Sequence, residues 1–144
     1  KALIESPEVV VEQFIEGTEV TCGLFKAGGR LTLLPLTEVI SANEFFDFEA
    51  KYTPEKVEEI TPARISHELT VEIQQSTASI YELLRCKGIV RIDYIISNNK
   101  PFLLEVNTTP GMTPTSFIPQ QIAAAGLQIK DVFSQILEEA MSGN

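Results

Sequence analysis

The alternation of apolar and polar residues divides the chain into a β-rich first third, a pattern-poor middle, and a helix, hairpin and paired-helix remainder. Val9-Val10-Val11-Glu12-Gln13-Phe14-Ile15 is a short β-rich run closed by Glu16-Gly17, and Glu19 to Lys26 alternates as a second strand. Ala27-Gly28-Gly29-Arg30 reads as a hairpin turn. Leu31 to Leu36 continues as strand until Pro35 removes a ladder donor, so the opening is expected to be a β-meander. From Asn43 to Pro62 the periodicity fails amid aromatics, charges and prolines, which predicts a long surface loop with one helical turn. Ser66 is the expected N-cap of an amphipathic helix whose Leu69, Ile73, Thr77, Ile80 and Leu84 recur at helical spacing down to Lys87 and Gly88.

Two further strands, Gly88 to Ser97 and Pro101 to Asn107, flank a three-residue turn at 98–100 whose asparagines tolerate positive φ. The tail predicts helices over Ser116–Ala125 and Ile129–Met141, split by Gly126. The order βββ, loop, α, ββ, αα argues an α+β fold with an antiparallel sheet flanked by helices.

Composition narrows the possible functions. At 144 residues and 44% hydrophobic content, the chain is one domain's worth of sequence and can bury a core without disulfides or structural metal. A net charge of −9 repels polyphosphate backbones and anionic lipid, so neither nucleic acid nor membrane is an expected partner and any phosphate site must be local. No apolar run approaches a membrane span and no signal peptide opens the chain, which reads as cytoplasmic. Cys22 and Cys86 lack metal or redox spacing and fit small buried hydrophobes. The single histidine, His67, excludes His-rich zinc sites. The chain begins without methionine, which suggests that it was cut from something longer.

The hairpin carries the chemistry. In Ile89–Ile96, period-two alternation puts Arg91 and Asp93 on one face, against Val90, Ile92, Tyr94 and Ile96 on the other. Across the turn, Glu105 and Asn107 share a face, opposite Phe102, Leu104 and Val106. Matching apolar to apolar requires pair sums that are even, and the three-residue turn gives 198. Asp93 then opposes Glu105, and Arg91 opposes Asn107. Two carboxylates with Cβ atoms about 4.5–5.5 Å apart repel unless a cation separates them. With an amide oxygen they form a hard donor set suited to Mg²⁺ or Mn²⁺. The alternative is a solvated face on which Arg91 neutralises its neighbours. The strongly apolar intervening residues, and Thr108-Thr109-Pro110-Gly111-Met112-Thr113-Pro114, a loop too elaborate for a plain strand exit, add weight to the metal reading without closing the alternative.

Glu105-Val106-Asn107-Thr108-Thr109-Pro110-Gly111-Met112-Thr113, preceded by Arg91-Ile92-Asp93 and by Phe46-Asp47-Phe48-Glu49-Ala50-Lys51-Tyr52, closely resembles the C-terminal portion of D-alanine–D-alanine ligases. These belong to the ATP-grasp superfamily, and the resemblance runs from about Val9 to Glu138. It implies that residues 1–144 form the C-terminal ATP-grasp subdomain of a longer bacterial ligase. Such enzymes make D-alanyl-D-alanine for peptidoglycan through an acyl phosphate, using ATP and two Mg²⁺ ions, with Mn²⁺ as a possible substitute.

By that resemblance, Glu12, Phe14 and Ile15 contact adenine and Glu19 the ribose. Asp93, Glu105 and Asn107 are the metal ligands, with Glu105 bridging. Arg91 and the N–H of Gly111 stabilise the acyl phosphate and tetrahedral intermediate. Ser116 and Phe117 lie near the second D-alanine, with Phe117 where the family often has leucine. Phe45 to Tyr52 matches the ω-loop lid, whose Lys51 reaches the ATP phosphates and whose Tyr52 favours D-alanine over D-lactate. Gln13 departs from a frequent lysine. The resemblance also implies a homodimer formed through a missing N-terminal part. Because the first ATP subdomain, with its phosphate-binding lysines and glycine-rich loop, is not in this chain, the isolated 144 residues are expected to be inactive. Two alternatives stand beside this reading. One is another ATP-grasp carboxylate–amine ligase, against which Glu49–Tyr52 and Pro110–Thr113 argue. The other is a non-catalytic metal- or nucleotide-binding module.

Overall fold

The computed structural model describes residues 2–41 and 57–142. The predicted lid, Phe45 to Tyr52 with Lys51, lies outside the described residues. A four-residue helix, α1 (Ala2–Glu5), precedes β1 (Thr18–Ala27), β2 (Arg30–Leu33), β3 (Thr37–Ser41) and β4 (Val57–Ile60). The long helix α2 (His67–Leu83) follows. Then come β5 (Ile89–Ser97), β6 (Lys100–Asn107), α3 (Phe117–Ala124) and α4 (Ile129–Ser142). The strands form one antiparallel sheet in the order β4-β3-β1-β5-β6, with β2 also paired to β1. The α+β antiparallel expectation holds.

Alternation along β1 and β5 assigns the two faces. Val20, Cys22, Leu24, Val90, Ile92 and Tyr94 point to one side, where they bury against Ile73, Thr77 and Tyr81 of α2. The Thr77 and Tyr94 hydroxyls meet at 2.8 Å inside this core. Phe25, Ala27 and Leu34 face the other way and pack under Ile118, Ile122 and Val132 of α3 and α4. Among the described residues, this packing lies at the end of β1 that carries Phe25 and Ala27. Glu19, Thr21, Arg91, Asp93, Glu105 and Asn107 share that second face. Both cysteines are free, and burial pushes the Cys22 thiol up to about 12, so it stays neutral among apolar neighbours.

Four local expectations are corrected. Val9 to Ile15 is not a strand: β-rich composition makes a ladder only where an edge is available, and no described strand pairs with it. Val57–Ile60, inside the segment read as loop, is a strand paired with β3, its short Val-Glu-Glu-Ile pattern too brief to register as alternation. The long helix stops at Leu83 rather than at Lys87-Gly88. Arg85 takes φ 52°, its N–H donates to Glu82 O, and the Cys86 N–H donates to Tyr81 O, which together close a Schellman turn. Its inward stripe therefore ends on Tyr81, and Leu84 is exposed. Finally, β2 and β3 are two stretches of a strand broken at Leu34-Pro35-Leu36 and both lie along β1, so the opening is not a simple meander. Other signals read correctly. Ser66 caps α2 by accepting from the Leu69 N–H at 3.2 Å, and Gly126 ends α3.

The break opposite β1 sets Cys22 and Gly23 against three residues, Leu34, Pro35 and Leu36, which is a bulge. Gln121 of α3 is fully buried and fills the gap. Its Oε1 accepts from the Gly23 N–H at 2.9 Å, and its Nε2 donates to Thr21 O and to Thr37 Oγ1, each at 3.0 Å. Such closeness requires glycine, because a Cβ at position 23 would lie 2.4 Å from Gln121 Oε1 and 2.5 Å from Ile118 Cδ1. At the sheet's other margin, Arg64 forks onto Glu38 at 2.9 and 3.2 Å, tying the entry of α2 to β3. This guanidinium holds the Glu38 carboxyl below its ordinary value.

Two predictions follow from this packing. Gly23→Ala should destabilise the protein by about 1–3 kcal/mol through overpacking, read as a lowered urea midpoint; an unchanged midpoint would show that Gln121 moves aside freely. Glu38 has a lowered folded pKa, so its stabilising contribution is present above the unfolded carboxyl value and lost as pH falls through the folded one. Glu38→Gln should therefore lower the thermal midpoint at pH 7 and lose that effect in acid. A deficit of equal size at every pH would remove the linkage.

A carboxylate cluster on the open sheet face

The β5–β6 hairpin delivers the predicted pairing by a different route. Its turn is Asn98-Asn99, both at positive φ (51° and 58°), so Ser97 pairs with Lys100 and the initial pair sum is 197. An irregularity between Asp93 and Tyr94 then leaves Leu104 as an extra residue on β6. Beyond it Asp93 pairs with Glu105 and Arg91 with Asn107, as the sequence pattern requires. The three-residue turn is thus corrected to two residues plus a bulge. The same shift overturns the expected apolar face of β6: Phe102 pairs with Ile95, Leu103 with Tyr94, and Phe102, Leu103 and Leu104 are all substantially exposed.

Asp93 is the centre of the site and only 6% exposed. Arg91 forks onto it, Nε to Oδ1 at 2.9 Å and Nη2 to Oδ2 at 2.8 Å. The Thr21 hydroxyl of β1 donates to Oδ1, and Asn107 Nδ2 donates to Oδ2 at 3.2 Å. Asn107 Nδ2 also reaches Glu105 Oε1 at 2.6 Å, and Arg91 Nη2 lies 3.6 Å from that oxygen. The Glu105 side chain, 62% exposed, leaves the sheet toward solvent. Arg91 does sit among the carboxylates, as the solvated-face alternative expected, yet Asp93 is buried and its partners converge instead of fanning into water.

Glu19 joins the same cluster. Its carboxyl is pushed up from its ordinary value first by burial and then by the charges of Asp93 and Glu105, with Arg91 partly offsetting them. Glu19 thus feels the charges of Asp93, Glu105 and Arg91, but among the described residues no three His, Cys, Asp or Glu side chains stand close enough to hold a metal by themselves. Asp93 and Glu105 with the Asn107 amide supply oxygen atoms of the hard type that a divalent cation takes, with the remaining ligands left to water or phosphate.

The loop after β6 closes one side. The Arg91 guanidinium carbon lies 5.1 Å from the centre of the Phe117 ring, a cation–π contact. Ser116 Oγ accepts from the Thr113 N–H at 3.1 Å and meets Thr113 Oγ1 at 2.8 Å. A Cβ at Gly111 would lie 2.9 Å from Ser116 Oγ, so glycine lets the loop backbone approach that hydroxyl. The structure thus gathers Glu19, Arg91, Asp93, Glu105 and Asn107, with Phe117 against Arg91 and Gly111 beside Ser116. Glu12 and Phe14 are exposed on the irregular segment before β1, and Ile15 is half-buried there. An apolar cavity of about 470 Å³ lined by Met112, Ile122 and Ile129, among others, contains none of the predicted residues.

Sequence reasoning missed Thr21 and Gln121. Thr21 had a signal, since it alternates in phase with Glu19 on β1. Gln121 had none, being one of two adjacent glutamines in a helix whose buried side only packing reveals.

Comparison with known proteins agrees with the motifs. Residues 1–138 match the family described as D-ala D-ala ligase C-terminus. The D-alanine–D-alanine ligase of Parabacteroides distasonis is 59% identical over 142 residues, which cover 98% of this chain and 43% of that protein. The chain thus spans less than half the length of this curated relative. Among solved structures, the D-alanine–D-alanine ligase of Bacillus anthracis complexed with ATP superposes with a TM-score of 0.73 at 32% identity, covering 91% of this chain and 42% of that one. The VanG D-Ala:D-Ser ligase of Enterococcus faecalis does so at 0.68 and 32% identity, covering 90% and 37%. With the family matched along nearly its whole length and the motif residues gathered on one face, the chain belongs to the D-alanine–D-alanine ligase C-terminal family.

Proposed function

We propose that this chain forms one wall of the active site of an ATP-dependent ligase that joins two D-alanines into D-alanyl-D-alanine for peptidoglycan synthesis. The observation that carries the reading is the convergence of Arg91, Asp93, Glu105 and Asn107 on one sheet face in a chain of this family. In the reaction, a carboxylate oxygen of the first D-alanine attacks the γ-phosphorus of ATP, the bond to the β-phosphate oxygen breaks, and ADP leaves. The amine of the second D-alanine then attacks the acyl carbon and loses a proton, and the carbon–oxygen bond to phosphate breaks.

Asp93, Glu105 and Asn107 would hold two Mg²⁺ ions, or Mn²⁺, which when bound shield the β- and γ-phosphate charge. Arg91, steadied by Phe117, offers a guanidinium to the phosphoryl and acyl oxygens, and the Gly111 N–H offers a second donor to the oxyanion. Ser116, beside Gly111, is a hydrogen-bonding group for the second D-alanine's carboxylate, with Phe117 adjoining it in sequence. Glu19, on the same face, takes the ribose hydroxyls. Glu12 takes the adenine amino group and the backbone of Phe14 and Ile15 its ring edge, a role that rests on the family resemblance of this segment. Lys51 and Tyr52 belong to a lid that excludes water, Lys51 meeting the phosphates and Tyr52 selecting the second substrate. On this reading selection of the second substrate lies with Tyr52, with Phe117 near its carboxylate. We place the reaction in the cytoplasm, in a protein that pairs with a second copy outside this region. Among the described residues no helix is long and apolar enough to cross a membrane.

The test is ADP release by the full-length protein with Mg²⁺, ATP and D-alanine, with dipeptide as product. Asp93→Asn should cut turnover by more than the ~10–100-fold typical of losing a metal ligand's hydrogen-bond partner; turnover within a few-fold of the parent would remove Asp93 from the reaction. With D-lactate added at equal concentration, dipeptide should remain the dominant product. Ester formation at a comparable rate would remove the role given to Tyr52.

A further inference from the structure

We infer that Thr21 is a positioning residue for the divalent-ion site, fixing the Asp93 carboxylate through a buried hydroxyl whose own strand is locked by Gln121. The inference rests on the proposed reading of Asp93 as a metal ligand. Thr21 is 2% exposed and stands directly opposite Asp93 in the β1–β5 ladder. Its hydroxyl has one proton, and an ionised carboxylate only accepts, so the bond runs from Thr21 to Asp93 Oδ1.

The surroundings leave that hydroxyl this task. Thr37 is the residue paired with Thr21 on the other side, and a threonine–threonine bond across the strands is a common arrangement. Here Thr37 Oγ1 instead accepts from Gln121 Nε2 and meets Thr61 Oγ1 at 2.6 Å. Gln121 also takes the Thr21 carbonyl and the Gly23 N–H, pinning the Thr21 backbone on both sides of the bulge. A β-branched side chain on a pinned backbone has few rotamers, so its hydroxyl points where the strand sends it.

The two oxygens of Asp93 are then unequal. Oδ1 carries Thr21 and Arg91 Nε, whereas Oδ2 lies toward Asn107 and takes Asn107 Nδ2 and Arg91 Nη2. The partners on Oδ2 sit on side chains that the proposed chemistry gives other work, Arg91 to the phosphoryl group and Asn107 to the ions. Thr21 has no such second task. It holds Oδ1 whichever way those groups turn, and thereby presents Oδ2 to the shared face with Glu105. Hydrogen bonds behind a ligand orient it and typically set metal affinity by about 10–100-fold.

The experiment measures Mn²⁺ binding to the full-length protein in the presence of ADP, by loss of the free-ion electron paramagnetic resonance signal, alongside thermal midpoints. Thr21→Val, which keeps the shape and removes the hydroxyl, should weaken Mn²⁺ binding by about 10-fold or more. Thr21→Ser should bind within about threefold of the parent. Thr21→Ala should reproduce the loss with a smaller side chain if valine does not pack. A purely structural role would lower the midpoint and leave the affinity of the folded protein unchanged, which overturns the inference. Asp93→Asn separates the two failures: if it loses Mn²⁺ while Thr21→Val does not, the positioning role falls alone. If Asp93→Asn binds as the parent does, the metal-ligand reading falls and takes the inference with it.

Discussion

A carboxylate withdrawn from water needs hydrogen bonds on both oxygens to offset its lost hydration, and Asp93 meets that demand with donors from three strands. Arg91 comes from its own strand, Thr21 from β1 and Asn107 from β6. Arg91 travels with Asp93 on β5, but a one-residue slip of β1 or of β6 carries the Thr21 or the Asn107 donor to the other face, and a slip of β5 carries Asp93 itself there. In place of Asp93 the site would then present Ile92 or Tyr94, and a charge would enter the core beneath α2. The polar site and the apolar core thus enforce the same register from opposite faces of the sheet.

That shared constraint explains which parts of the site were legible in the sequence. The alternation over Ile89–Ile96 and the Glu105-x-Asn107 spacing state the pairing of Arg91 with Asn107 and Asp93 with Glu105 almost directly, because burial leaves no other phase. The turn was misread and the pairing was still right. An Asn98-Asn99 turn alone puts the hairpin one residue out of phase, and the extra residue at Leu104 restores it. Turn length is a local property and register a global one, so the sheet accepts a bulge sooner than it buries Glu105.

Where the reading failed, the missing information was tertiary. Val9 to Ile15 has the composition of a strand without a described neighbour, whereas Val57–Ile60 has an unremarkable composition and pairs because β3 offers an edge. Arg85 occupies a left-handed position that sequence rules give to glycine, since the Schellman bonds to Tyr81 and Glu82 and the burial of Tyr81 fix the end of α2 before Gly88 is reached. Gln121 is the sharpest case. It serves as a substitute ladder partner for a bulge formed by residues about a hundred positions earlier, and nothing within its helix marks it. Fold class and the centre of the site are encoded locally, and the supports behind them are encoded in packing.

The charge balance completes the argument. A chain at −9 is a poor partner for polyphosphate, and the cluster sharpens the difficulty by placing Glu19, Asp93 and Glu105 around one arginine. At this face a nucleotide meets repulsion unless cations come between the two sets of oxygens. On the proposed reading that repulsion is what makes nucleotide binding conditional on divalent ions. The Glu19 carboxyl is raised first by burial and then by the neighbouring Asp93 and Glu105 charges, so a cation there would relieve part of that cost while phosphate oxygens supply its further ligands. Acidic composition, which argues against nucleic acid as a partner, is in this arrangement the reason that a metal–nucleotide complex fits where the nucleotide alone does not.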